Sequence, residues 1–297
     1  MNTRDPRAHR RAIALMIAAA TLWSIAGVVT RHLDFAGRWE VTFWRSLFAA
    51  VFVLAALLVT RGRGAWAAVR ATGGYGILSG AMWAIMFSAF MLALMTTTTA
   101  NTLIVNSIAT LITALLARAV LHERIAPRTW AAIALAITGM LWMFGSGFAG
   151  GEPRHLAGML IAFAVPLAAA VNFVTLKHAG RSVDLIPAVL LGAVFSLILT
   201  LPFALPFSAN LHDLLLLALL GCLQLGLPCM LMVRASPHLS APEISLLALL
   251  EVVLGPLWAW LGAGEAPGLA TLAGGAVVII ALILNELAPG RIVRTKV

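Results

Sequence analysis

A chain of 297 residues that is 62% hydrophobic and only 10% charged, with mean hydropathy +1.00, lies outside the composition of soluble globular domains. At about 30 residues per bilayer crossing, turn included, this length allows close to ten spans and leaves no room for a sizeable soluble domain. The formal charge of +9 does not indicate nucleic acid, because the Arg and Lys residues fall in short clusters between apolar runs rather than along one folded face.

In chain order, Met1 to Arg11 followed by Ala12 to Val29 imitates a signal peptide, with Ala18-Ala19-Ala20 resembling a cleavage site. Cleavage there would leave too short an apolar core, so a retained first helix is expected, with Arg10-Arg11 as its cytoplasmic anchor. The apolar runs predict helices at 12–30, 40–60, 73–95, 100–120, 129–146, 157–177, 185–205, 213–233, 240–262 and 269–287. These runs are continuously apolar for about 20 residues, whereas barrel strands alternate over about ten.

With the amino terminus placed in the cytoplasm, alternating connectors put 16 cationic side chains inside and 3 (Arg31, Arg38, Arg154) outside, with Arg45 inside the second span. A missed or invented helix would scramble that asymmetry, so ten spans with both termini cytoplasmic are predicted, in a bacterial inner membrane. Cys222 and Cys229 lie seven residues apart on one predicted helix, about 10 Å along its axis, and are expected as buried, reduced thiols.

The stretch 147–156, with Gly147-Phe148-Ala149-Gly150-Gly151, divides the spans five and five, into 1–146 and 157–297. The halves then enter the membrane from opposite sides, the arrangement of inverted repeats. Similar residues recur at similar places: Arg31-His32 after the first helix and Lys177-His178 after the sixth, then Glu123 after the fourth and Glu265 after the ninth.

Leu22-Trp23-Ser24 in the first helix, Phe43-Trp44-Arg45 in the second, Glu123, Glu265, and Leu250-Glu251 in the ninth carry a resemblance over nearly the whole chain to the drug/metabolite transporter superfamily, in its EamA-type branch. The sequence departs from that family where a proline often stands about thirteen residues before each terminal glutamate; Thr110 and Val252 occupy those positions. The resemblance implies an all-α integral membrane protein: two inverted five-helix repeats around a central cavity, with helices five and ten peripheral. It also implies efflux of amino acids or related metabolites, or of cationic drugs.

A carrier's site is expected near the bilayer midplane, where polar groups and bendable helices meet. Glu251, about midway along the ninth span, is predicted to bind substrate or carry a proton, or else to pack as a neutral acid. Arg45, whose long stem could snorkel to the interface, is expected to serve packing or topology, with a coupling or gating role at the cavity as the alternative. Trp23 and Trp83 fall at midplane depth and are candidate cargo walls or, equally, core packing residues, while Ser24, Asn101, Asn106, Asn172 and Gln224 offer hydrogen bonds to substrate or between helices. Trp39, Trp44, Trp66, Trp130, Trp142, Trp258 and Trp260 fit the interfacial aromatic belt. Pro166 and Pro228 interrupt mid-span hydrogen bonding and are candidate flexing points.

No enzyme is expected. His122-Glu123 lacks the second histidine of a zinc-protease helix, no nucleophile has a recognisable histidine partner, and no P-loop pattern is present. Neither a metal nor a cofactor is predicted. The expected partners are a small-molecule substrate and the lipid bilayer, with the chain as monomer or homodimer.

Overall fold

The computed structural model describes residues 6–34, 37–96, 102, 105–122, 125–144, 153–180, 183–264 and 269–287. Ten helical passages run through them: α1 (Pro6–Thr30), α2 (Arg38–Arg61), α3 (Gly73–Leu94), α4 (Val105–Val120), α5 (Pro127–Phe144), α6 (Pro153–Ala179), α7 (Ile186–Ala204), α8 (Leu211–His238), α9 (Ala241–Gly262) and α10 (Leu269–Leu287). Among the described residues, seven helices are long and apolar enough to cross a membrane, and Val105–Val120 and Leu272–Asn285 are shorter apolar helices. α1, α5 and α6 open on Pro6, Pro127 and Pro153, earlier than hydropathy predicts, because proline lacks only an N–H that a first helical turn leaves unused. Most of the predicted connector 147–156 lies outside the described residues.

Helix pairing reveals the internal symmetry. α5 packs on α10, α2 on α7, α3 on α6 and α7, α8 on α1 and α2, and α4 on α6 and α9; α9 also packs on α1. Shifting every helix by five places reproduces the pattern: α3 with α6 becomes α8 with α1, α3 with α7 becomes α8 with α2, and α4 with α6 becomes α9 with α1. Each half holds an odd number of passages, so related halves run in opposite directions, giving two inverted five-helix repeats. α5 and α10 stand at the periphery, held to each other by the Thr129 hydroxyl donating to Asn285 Oδ1 at 3.0 Å.

Small residues let the central helices approach closely. A Cβ added to Gly192 on α7 would collide with Trp83 Cβ on α3, and one added to Gly221 on α8 would lie 2.5 Å from Phe48 Cβ and 2.6 Å from the Arg45 carbonyl oxygen on α2. The two contacts are related by the same five-helix shift.

A buried carboxylate absent from the sequence-based candidates fastens α2 to the connector between α7 and α8. Glu40 is 3% exposed and accepts from the Ser208 and Ala209 N–H groups, the Ser208 hydroxyl and the Trp44 indole, at 2.7–3.3 Å. α8 then starts on an Asn210 cap, and α9 on a capping box between Ser240 and Glu243, which satisfies end groups that the membrane cannot solvate.

The ends of α4 and α9 match as well. His122 has φ 52° and Gly264 φ 68°, each directly before the stretch that carries Glu123 or Glu265. Left-handed backbone suits glycine and strains a side-chain-bearing residue by about 1–2 kcal/mol. His122→Gly should therefore raise stability by about 0.5–1 kcal/mol after the entropic penalty of glycine, read as a higher thermal midpoint in detergent; an unchanged or lower midpoint would contradict this account of the turn.

Candidate functional site

Three passages are interrupted. α1 stops at Trp23 and resumes at Ala26, α4 has a turn at Ile108, and α9 has one at Leu249. The breaks in α4 and α9 lie two and three residues before Thr110 and Val252, so the helices are interrupted there without the proline usual in the resembled family. α8 changes differently: Leu220–Gly226 is a π-helix, and the Leu227 N–H reaches back five residues to the Cys222 carbonyl. Pro228 follows directly and offers no N–H to Gln224, which favours such a widened turn. α6 remains continuous through Pro166, so that proline produces no break.

A cavity lies among these interruptions. Its wall includes Trp23, Arg45, Trp83, Asn106, Gln224 and Glu251, so six of the eleven candidates meet there, drawn from both halves. Phe87, Phe173 and Val165 add apolar surface, and Thr110, Ser245 and Cys229 add small polar groups. Glu251 is half-buried on that wall.

Arg45 does not snorkel. It is 1% exposed; Nη2 donates to the Phe87 carbonyl at 2.9 Å and Nη1 to Gln224 Oε1 at 3.3 Å. Gln224 Nε2 donates in turn to the Trp23 carbonyl at 3.3 Å, a carbonyl that the break in α1 frees from intrahelical duty. One polar chain thus joins α3, α2, α8 and α1 across the repeat interface. Four buried polar atoms on the wall have no hydrogen-bond partner: Arg45 Nε, Trp83 Nε1, Thr110 Oγ1 and Ser245 Oγ.

The remaining candidates lie elsewhere. Ser24 accepts from Trp258 Nε1 at 2.7 Å and donates to the Thr21 carbonyl at 2.6 Å, which ties broken α1 to α9. Trp258 is therefore held by a partner across the repeats and is not simply part of an aromatic belt, whereas Trp66 and Trp142 are 65% and 66% exposed, as a belt requires. Asn172 is fully buried between α3 and α6, accepting from the Ser79 hydroxyl at 2.7 Å. Asn101 lies outside the described residues. Both cysteines are free, with Cys229 buried and Cys222, contrary to expectation, half-buried.

Sequence reasoning missed Thr110 and Ser245, since hydroxyls within a helix ordinarily bond their own backbone, as Thr42 and Thr175 do. It also missed the hydroxyl relay in which Ser196 bonds Ser46 and Ser88, each at 2.9 Å. Serine at small-residue helix contacts is common enough to give no signal.

Broken helices from two inverted repeats, converging on a cavity with an apolar wall and a few fixed polar groups, are the build of a multi-pass membrane transporter. The EamA-like transporter family matches residues 10–145 and again 156–287, and the chain belongs to that family. A crystal structure, titled only as that of a protein, superposes with a TM-score of 0.80 at 18% identity, covering 95% of this chain and 99% of the other; at that identity the likeness concerns the fold. A comparison with curated proteins gave no match.

Proposed function

We propose that the protein exports amino acids, aromatic and other neutral ones included, or related small metabolites by alternating access across the bacterial inner membrane, with both termini cytoplasmic. The observation that carries this reading is the composition of the cavity. Indole and phenyl walls suit an apolar body, while one guanidinium and one carboxylate, on opposite repeats, suit a molecule carrying both charges. The asymmetry of 16 inner and 3 outer cations supports the orientation. A second reading, efflux of quaternary cations, draws on Glu251, the one carboxylate on the wall among the described residues.

Counterflow in liposomes decides between them. Vesicles preloaded with phenylalanine, leucine or serine should accumulate labelled phenylalanine, and the recovered solute should be chemically unchanged, which separates carriage from catalysis. Movement of tetraalkylammonium ions with none of the amino acids would overturn the preferred cargo.

A further inference from the structure

Between the cavity and the end of the molecule at which α1 begins and α6 finishes, the packing is apolar and tight. Met16 of α1, Leu176 of α6, Met232 of α8 and Ile244 of α9 are each at most 2% exposed and belong to one buried cluster, which also takes in Trp23 and Phe173 of the cavity wall. With both termini cytoplasmic, as proposed above, this cluster plugs the path from the cavity to the cytoplasm. α9 contributes its first half, Ala241–Ala248, which packs mainly on α1, α4 and α6, whereas its second half, beyond Leu249, packs mainly on α1 and α10. The break in α9 thus separates two segments with different neighbours.

Polar contacts fasten the chain that leads into the first segment. The Lys177 ammonium, near the end of α6, donates to the Leu239 carbonyl at 2.7 Å. His9 Nδ1, near the start of α1, lies 3.2 Å from the preceding carbonyl, that of His238, a bond that requires the proton on Nδ1. The Leu239–Ser240 peptide also gives its N–H to the Glu243 carboxylate in the capping box of α9. A cation on the oxygen and an anion on the hydrogen of one peptide each follow its polarity, and both bonds are stronger than neutral ones. Two consecutive carbonyls are therefore held by α1 and α6, the helices that correspond under the five-helix shift.

We propose that the α8–α9 connector and the first half of α9 form the cytoplasmic gate of the carrier, that Lys177 is its latch, and that the conformation seen here is the one shut toward the cytoplasm. The proposal rests on the alternating-access reading above and adds the part that moves. Opening breaks the bond from Lys177 to Leu239 and swings Ala241–Ala248 about the break at Leu249, which withdraws Ile244 from the plug. The same movement changes the surroundings of Glu251, two residues beyond the break.

Cys229, buried on the cavity wall, serves as reporter in a Cys222→Ser background that leaves it the one thiol of the chain. Its labelling by a charged, membrane-impermeant methanethiosulfonate is timed in inside-out and right-side-out membrane vesicles. Lys177→Met keeps the apolar stem and removes the ammonium; it should speed labelling from the cytoplasmic face about tenfold, the worth of one charge-assisted hydrogen bond, without speeding it from the outer face. Lys177→Arg retains a donor and should stay near the wild-type rate. Ile244→Cys, in a chain without the other two thiols, repeats the measurement inside the plug, and faster cytoplasmic labelling at either thiol upholds the latch. A cytoplasmic rate that Lys177→Met leaves unchanged at both thiols overturns it, as does faster labelling from both faces with a lower thermal midpoint, which is the mark of a loosened fold. Faster labelling from the outer face alone overturns the cytoplasmic placement of the gate. A latch upheld without any counterflow of amino acids overturns the amino-acid carrier alone, and counterflow with a failed latch overturns the latch alone.

Discussion

Replacing Glu251 with glutamine is expected to leave the protein folded and to abolish the response of transport to an imposed pH gradient, so that flux with the gradient falls to its level without one. No nucleotide-binding pattern is present in the sequence, so uphill movement must draw on an ion gradient or on exchange. Among the described residues of the cavity wall, Glu251 is the one carboxylate, and it follows the break at Leu249 by two residues. Bending at that break would alter the surroundings of the acid and with them its affinity for a proton. Glutamine keeps the volume and the hydrogen-bonding capacity but cannot titrate. Flux of the wild type in proteoliposomes that ignores the gradient, or a gradient response that survives in Glu251→Gln, would remove Glu251 from coupling and leave exchange or facilitated diffusion.

Gly192→Leu should eliminate most of the folded protein. A Cβ at this position would already collide with Trp83 Cβ and come within 3.1 Å of the Gly80 carbonyl oxygen, and neither neighbour is the free end of a flexible chain. Overpacking of a tight site costs about 1–3 kcal/mol for small additions and more where backbone must move. Gly192→Ala should accordingly lower the thermal midpoint by several degrees, and leucine should leave little monodisperse material after size-exclusion chromatography. Gly27→Ala supplies the contrast, because a Cβ there meets nothing within 4 Å. Similar yields for leucine at 192 and alanine at 27 would show that the α3–α7 contact is looser than described.

Both predictions concern positions that differ in how well the sequence displays them. Hydropathy gives depth, and depth alone brings Trp23, Trp83, Gln224 and Glu251 to one level, where the structure does join them. What hydropathy lacks is direction around each helix. Arg45 at the outer end of a span looks ready to reach the interface, yet it turns inward because the Phe87 carbonyl and Gln224 lie 42 and 179 residues away in the chain. Asn172 has the right depth but faces Ser79, outside the cavity. Glu40 gives no hint of its role, since its acceptor duty is set by backbone N–H groups 168 and 169 residues downstream. Proline marks the widened turn near Pro228 but not the breaks at Ser24, Ile108 and Leu249.

The widened turn in α8 is found in one half only, among the described residues. A π-helix amounts to one extra residue slipped into an α-helix, and Gly221, whose close approach to α2 answers that of Gly80 to α7, lies inside it. Two identical halves that swap conformations would make the inward-facing and outward-facing forms equal in energy, and the carrier would dwell equally in each. If the halves exchange conformations as proposed above, the inserted residue is one of the differences that make those forms unequal. Under that reading the resting population is expected to be skewed to one side of the membrane, with unequal rate constants for the forward and reverse conformational changes.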